Sequence, residues 1–538
     1  MKPEYANNLT KIQFFKFADY YGMSKIYEDL YIKSSKNINV KNLMPIIKNK
    51  QNMLIAIRYI KANITSIADI DSKSFTELLQ NNSVEELHCK VCNLIDNYES
   101  DRTTEKHISK RNKKLIFTNN FNVMSKLIAQ MIKQVIEPFC EAKFYKHSYG
   151  FRPTRQVDEF IARCHHLVSN ARCEYCVDIK IKDFFDNIHH NKLIKQIWNL
   201  GIRDKSVLIL IKKIIGTSID GNILKRGISQ NGILSPLIVN IALNDLDQWV
   251  SGQWEDFQNH CNNTKNHNEF YKELQYKNKT LNPNYNPKNK TAGNVKYFRK
   301  WKTLKTGFLV RYADDFKIFA PNYNESIKWF NGIKQFIEKR LLLKIDENES
   351  KIVNLKKSKV HFFDFELKIV NTYKKYKKRR PNVKNKSSKT KYVLRVRMNP
   401  EKIRKISDEF KSFLKQMVKT PYASPKIINK LNVKILEWQN YCSLSTYPSK
   451  DLQQVYIRNY TKLKVLERYY GILKHISMNE AKDLNNLLNV QYKEYNGFTF
   501  SSNYGGIIFP IWAVKQKKVM QRNPNINPFI RKDLKTYW

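Results

Sequence analysis

Acidic residues are scarce in this chain of 538 residues: 48 Asp and Glu stand against 96 Lys and Arg, a formal charge of +48. A folded protein tolerates that self-repulsion best beside a polyanion. Nucleic acid is the obvious one, and aromatic residues at 12% add stacking surface. Long apolar runs are missing as well. No segment approaches the roughly 20 apolar residues of a membrane-spanning helix, which weakens the rival reading of a membrane partner. Residues 1–25 lack the apolar stretch of a secretory signal, and Glu4 and Asp19 suit an organellar transit peptide poorly. The expectation is a protein that works where it is made. Glycine (15) and proline (16) are few while Lys and Asn abound, the mark of an AT-rich coding genome such as an organelle's or a low-GC bacterium's. Hydrophobic residues still make up 42%, which excludes a disordered chain. The length allows several domains of roughly 100–200 residues each.

Cysteines number eight, and four of them form the CxxC pairs Cys89/Cys92 and Cys173/Cys176. Zinc ribbons space such pairs about 15–20 residues apart, and the gap here is far longer. Cys176 also opens an apolar, strand-like run. Reduced, unconnected thiols are the expectation.

Periodicity predicts a helix within residues 46–67, a second over 124–139 ending at Glu137-Pro138, and a third over 206–215. Residues 173–181 read as a strand with Tyr175, Val177, Ile179 and Ile181 on one face. Residues 254–303 are polar and rich in Asn and Lys, like a surface insertion. Residues 308–319 read as two short strands around Asp314-Asp315. Residues 373–391 form a basic stretch with Pro and Ser that reads as a linker, either solvated or in contact with phosphate. Residues 401–473 are helical in pattern, and beyond 490 the chain turns irregular and aromatic.

Arg311-Tyr312-Ala313-Asp314-Asp315-Phe316 carries the sharpest chemistry. A tight hairpin there would present two adjacent carboxylates at its tip. Their repulsion is tolerable where divalent cations lie between them and phosphate oxygens, as in polynucleotide synthesis, where two Mg²⁺ ions about 4 Å apart activate the primer hydroxyl and steady the leaving pyrophosphate. Three further segments stand upstream: His147-Ser148-Tyr149-Gly150-Phe151-Arg152-Pro153, Asp183-Phe184-Phe185-Asp186-Asn187-Ile188, and Gly227-Ile228-Ser229-Gln230-Asn231-Gly232.

In this order the segments resemble the reverse transcriptases encoded within group II introns, from about residue 67 to 367. The resemblance resumes at Lys430-Leu431-Asn432 and Trp438-Gln439-Asn440-Tyr441. It implies an α+β, right-hand polymerase fold: fingers and palm, then a helical thumb, the maturase X domain. The expected divisions are an N-terminal helical extension leading into the fingers (1–105), fingers and palm (106–370) with an insertion at about 251–305, a basic linker (371–395), the thumb (396–480) and a basic C-terminal segment (481–538). The resemblance also implies that Asp314, Asp315 and Asp178 would be the catalytic Mg²⁺ ligands if the site is active. Arg152 would face nucleotide or template phosphates, or else form an ordinary salt bridge. Gln230 would line the nucleotide pocket, Tyr312 would lie under the primer end, and Lys180, Trp438 and Tyr441 would contact RNA. The implied partner is intron RNA, with primer, template and deoxynucleotide if synthesis occurs, and no membrane.

Departures from the family pattern carry equal weight. Counting back from Phe184-Phe185-Asp186-Asn187-Ile188 places Lys180 where the first catalytic Asp belongs, with Asp178 two residues earlier. An ammonium there would compete with Mg²⁺ for the carboxylates, unless a bulge restores Asp178. Pro-Gln-Gly becomes Ser229-Gln230-Asn231, Leu-Gly-Phe becomes Phe363-Asp364-Phe365, Glu-Lys-Thr becomes Asn348-Glu349-Ser350, and Arg-Pro becomes Leu115-Ile116. The last cysteine is Cys442 and the last histidine His475, so residues 478–538 cannot build the metal-binding endonuclease of mobile members. Lys515, Lys517, Lys518, Arg522, Arg531 and Lys532, with Trp512 and Phe529, would form a nucleic-acid surface instead. The leading expectation is an intron maturase whose polymerase is weakened or lost, in a plastid, a mitochondrion or a bacterial cytoplasm. An active reverse transcriptase with maturase function is the first alternative. A bacterial defence reverse transcriptase with a noncoding RNA is the second.

Overall fold

The computed structural model describes residues 8–63, 72–98, 104–108, 115–119, 123–153, 155–216, 218–219, 222–223, 225–230, 232–255, 306–371, 392–518, 527 and 529–534. The expected insertion and basic linker fall almost wholly outside these residues, as do Asn231 and Arg522. The chain divides into two compact units: Met1–Phe160 with Val177–Ile352 and Arg522–Trp538, and Ile161–Cys176 with Val353–Gln521.

In the first unit, helices Ser24–Ser35 and Lys50–Asn63 pack on the long helix Val123–Glu141, and Asn8–Tyr20 packs on those two. That helix runs past Glu137-Pro138, where the sequence suggested its end. Pro138 stands in the last turn and forfeits a single backbone bond, while burial on nearly every side holds the turn together. Helix Lys205–Ile215 lies where expected, capped by Asp204, whose carboxylate accepts from the Val207 amide at 3.2 Å.

Strands β1 (Thr104–Ile108) and β2 (Leu115–Asn119) form an antiparallel pair, as do the two-residue strands β4 (Ser218–Ile219) and β5 (Asn222–Ile223). The central sheet holds β3 (Tyr175–Ile179), β6 (Phe308–Tyr312), β7 (Asp315–Ala320) and β8 (Lys351–Asn354), in the order β6-β7-β3-β8. Because β3 is an interior strand, its residues 176–179 are buried on both faces, Asp178 included, not on one face as alternation suggested. Strands β6 and β7 pair antiparallel from Phe308↔Phe319 to Tyr312↔Asp315. Ala313 and Asp314 alone make the turn, so Asp315 is already the first residue of β7.

In the second unit, β9 (Val360–Phe362), β10 (Phe365–Asn371) and β11 (Tyr392–Met398) form an antiparallel sheet in the order β11-β10-β9. Three helices follow, Pro400–Lys419, Ser424–Cys442 and Pro448–Arg468. Their buried stripes meet; Ile403, Phe410 and Leu414 come from the first, Ile428, Leu431 and Ile435 from the second, Leu452, Val455 and Leu463 from the third. Beyond residue 490 the chain is more regular than its pattern suggested. Strands β12 (Leu473–Ser477), β13 (Phe498–Ser502) and β14 (Ile507–Ile508) make a small antiparallel sheet.

Among the described residues, no helix is long and apolar enough to cross a membrane.

Candidate functional site

The β6–β7 hairpin is a two-residue turn with Ala313 at φ +58°, a conformation that costs a residue with a Cβ. Its neighbours hold it there. The 147–150 segment runs beside β6: the Arg311 amide donates to the His147 carbonyl at 3.1 Å, and the Tyr149 amide donates to the Arg311 carbonyl at 2.9 Å. Gly150 lies so close that a Cβ on it would come 2.2 Å from the Ala313 nitrogen. Only glycine fits between the two backbones.

Beneath the turn is a fully buried ion pair. Arg311 Nε reaches both Asp247 oxygens at 2.9 Å, its Nη2 reaches Oδ2 at 2.6 Å, and its Nη1 donates to Asn240 Oδ1 at 2.9 Å and the Ala313 carbonyl at 2.7 Å. Neither charged side chain has any exposure. Burial pushes the Asp247 carboxyl up, against the pull of the Arg311 guanidinium. Asn240 and Asp247 are seven residues apart on helix Ser235–Gln253, hence on one face, and Asn240 Nδ2 also donates to the Gly150 carbonyl at 3.0 Å. One helix face therefore fixes the turn through Arg311 and its neighbour through Gly150.

The carboxylates themselves sit in a lattice of lysines. Lys317 Nζ lies 2.5 Å from Asp178 and 2.7 Å from Asp315; Lys180 Nζ lies 2.8 Å from Asp315. The Lys317 side chain is wholly buried, and those of Asp178 and Asp315 are 6% and 17% exposed. Burial alone would raise Asp315, but the charges of Lys317 and Lys180 and their hydrogen bonds hold it down at about 2. Asp314 projects from the turn, exposed. The Lys180 backbone is pinned on both sides: its amide donates to Ser350 Oγ at 3.1 Å, and its carbonyl accepts from the Asp346 amide at 2.8 Å.

Reverse transcriptase domains generally work with divalent cations. These residues do not fit a pair of them. Mg²⁺ needs free carboxylate oxygens in octahedral array, whereas ammonium groups already bond to Asp178 and Asp315. Among the described residues, no three His, Cys, Asp or Glu side chains converge as a metal site. Asp178 is joined to Asp315 at this site through Lys317.

The other expected site residues are buried or half-buried. Arg152 is buried. Its Nε donates to Glu141 at 2.9 and 3.1 Å, its Nη2 to Glu141 at 2.6 Å, and its Nη1 to the carbonyls of Tyr145 and Ser148 at 2.6 and 2.8 Å. This is the salt-bridge alternative, and it anchors the 147–153 segment to the long helix. Tyr312 is half-buried, with its ring 5.7 Å from that of Phe160. Gln230 is half-buried in a loop whose Ser229 and Gly232 line a small cavity with Lys126 and Ser235.

In the second unit, Trp438 and Tyr441 are each 7% exposed, too little for a stacking platform. Trp438 packs on Phe410, and Tyr441 donates to Asp364 at 2.9 Å. Asn432 and Gln439 turn inward too, donating to the carbonyls of Ile507 and Pro510 at 2.7 Å each. These signature residues tie β14 and the chain just after it to the helix. The expected aromatic C-terminal surface divides likewise. Trp512 packs on Tyr456, whereas Phe529, in the other unit, is buried against Phe15 and Tyr31. The bases of residues 515–518 are exposed.

Two features escaped the sequence reading. Lys317 stood two residues past the Asp pair on the same strand face, so period-2 alternation could have flagged it. The Arg311–Asp247 pair had no signal, because 64 residues separate its partners.

Residues 108–367 match the reverse transcriptase (RNA-dependent DNA polymerase) family. Over 258 residues the chain is 26% identical to the putative COX1/OXI3 intron 2 protein of Saccharomyces cerevisiae, covering 46% of this chain and 30% of that one. Over 246 residues it is 30% identical to the group II intron-encoded protein LtrA of Lactococcus lactis, covering 43% and 40%. Nuclear intron maturase 2, mitochondrial, of Arabidopsis thaliana is 23% identical over 205 residues, covering 29% and 27%. The chain thus spans 40% or less of the length of each of these relatives. Residues 108–367 thus carry a reverse transcriptase domain, and the relatives matched with it are intron-encoded proteins and an intron maturase.

Proposed function

We propose that this protein is a splicing maturase that binds a group II, or related reduced, intron RNA and promotes its folding, on a polymerase scaffold that no longer synthesises efficiently. The observation that carries the reading is the lysine lattice: Lys180 and Lys317 bond to the carboxylates that synthesis would require for metal. The intron-encoded relatives and the +48 charge support RNA as the partner. In this reading residues 106–370 serve as fingers and palm and 396–480 as the thumb, and their outer basic faces grip the RNA. The intron supplies the splicing chemistry; the protein supplies charge and shape complementarity. Relatives among mitochondrial proteins favour an organellar site of action.

The test pairs two assays on the purified protein. Primer extension on an RNA template with Mg²⁺ is expected to give little or no full-length cDNA. Binding at moderate salt is expected to prefer folded intron RNA over random RNA of equal length. No preference overturns the maturase reading. Abundant full-length cDNA overturns the loss of synthesis and supports the alternative of an active enzyme, which the retention of Asp178, Asp314 and Asp315 favours; Asp314→Ala would then abolish that synthesis.

A further inference from the structure

We infer that Lys180 and Lys317 are built-in counter-ions, so that Asp178 and Asp315 persist as structural ion-pair partners and this centre folds and holds its shape without divalent metal. The inference rests on the reading of the site given above and asks what the acids now do.

The geometry is a checkerboard on two adjoining strands. Asp178 and Lys180 lie two residues apart at the end of β3; Asp315 and Lys317 lie two apart at the start of β7, its neighbour in the sheet. A period of two puts each acid and the lysine after it on one face. Lys317 bonds across to Asp178 at 2.5 Å and along its own strand to Asp315 at 2.7 Å, and Lys180 bonds across to Asp315 at 2.8 Å. Two ammonium groups thus neutralise two carboxylates that would otherwise be buried near one another without compensation.

Lys317 commits the arrangement. Its side chain has no exposure, and its ammonium has three donors, two of them spent on Asp178 and Asp315. Removing either acid strips this buried cation of a partner; removing Lys317 leaves two acids facing each other. Each single change breaks a buried pair, which costs far more than exchanging the whole set. The carboxylates are therefore held in place by their lysines, whether or not any synthesis takes place.

Thermal unfolding of the full chain tests this, with EDTA and then with millimolar Mn²⁺. Wild-type protein is expected to melt at the same temperature in both. Lys317→Ile and, separately, Asp315→Asn should each melt lower by roughly 6 °C or more in EDTA. The double variant Lys180→Asp/Lys317→Ile gathers carboxylates without ammonium groups; Mn²⁺ should raise its melting temperature and give a saturable calorimetric heat that wild type lacks. Stabilisation of the wild type by Mn²⁺, or an unchanged melting temperature for either single variant, overturns the inference. A double variant that folds yet ignores Mn²⁺ also overturns it. Should the double variant not fold, the two single variants decide. These readouts measure stability and metal binding, so failure of the maturase reading, seen as lost RNA preference, stays distinct.

Discussion

Replacing Arg311 by Met probes how the hairpin is held. The substitution keeps an unbranched chain of similar reach and deletes five hydrogen bonds, three of them to Asp247. Both partners are fully buried, so the Asp247 carboxylate is left in the interior without its cation. Breaking a buried pair in this way costs about 3–5 kcal/mol. The carboxyl can escape part of that cost by taking up a proton. Burial already pushes Asp247 up, and losing the Arg311 charge pushes it further. The folded variant then binds a proton that the unfolded chain releases, so its stability rises as pH falls toward the ordinary carboxylate range. Urea unfolding at about pH 7.5 and about pH 5 should show the larger deficit at the higher pH. Adding Asp247→Leu should recover part of the loss, because an apolar pair of similar volume is often neutral. A deficit under about 1 kcal/mol, one that ignores pH, or a double variant weaker than the single would each refute the reasoning.

Gly150→Ala should destabilise by about 1–3 kcal/mol in urea unfolding, because the added Cβ would meet backbone atoms of Ala313 and Tyr312 that cannot swing aside; wild-type stability would mean the hairpin shifts freely. Phe529→Ala should cost about 3–5 kcal/mol and expose the C-terminal segment to limited proteolysis, since its ring is buried against Phe15 and Tyr31. Lost RNA affinity without lost stability would restore Phe529 to a binding surface. For Asp315, held at about 2 by its lysines, the folded value lies below the unfolded one near pH 4. Its contribution of about 2 kcal/mol is therefore present above that point and fades as pH falls through about 2. Acid titration of stability should be shallower in Lys317→Ile, and equal slopes would contradict the lattice.

The sequence made the turn and its chemistry legible because both are local. Arg311-Tyr312-Ala313-Asp314-Asp315 read as a hairpin through the apolar residues on either side, with both carboxylates at its tip; the pairing Tyr312↔Asp315 leaves Asp314 in the turn and puts Asp315 in the strand. Lys180 stood out by counting along one strand. What counting missed depends on partners far apart in the chain. The resemblance read Arg152 as facing phosphates, with a salt bridge as the alternative; its partner Glu141 lies 11 residues earlier, on a helix that continues past a proline. Trp438 and Tyr441 read as a gripping surface because aromatic residues suit either stacking or a core, and only the packing of three helices decides between them. Strands β13 and β14 were hidden by their length, since two to five residues give alternation no room to declare itself.

The lattice also accounts for an otherwise puzzling combination: an intact Asp-Asp pair beside a lysine that would defeat it. A polymerase centre holds buried carboxylates together for the sake of metal, which burdens the fold; such sites trade stability for activity. In the proposed maturase, where synthesis would not be required, that burden can be relieved by removing acids or by adding bases. Removing acids singly is easy only before a buried base is present. With the Lys317 side chain wholly buried against Asp178 and Asp315, each acid is the partner of a cation that has no route to water. Lys180 supplies a second base at the rim, 35% exposed and bonded to Asp315. An intact Tyr-Ala-Asp-Asp run does not by itself show what these carboxylates bind; Lys317, two places beyond it, already bonds to Asp178 and Asp315.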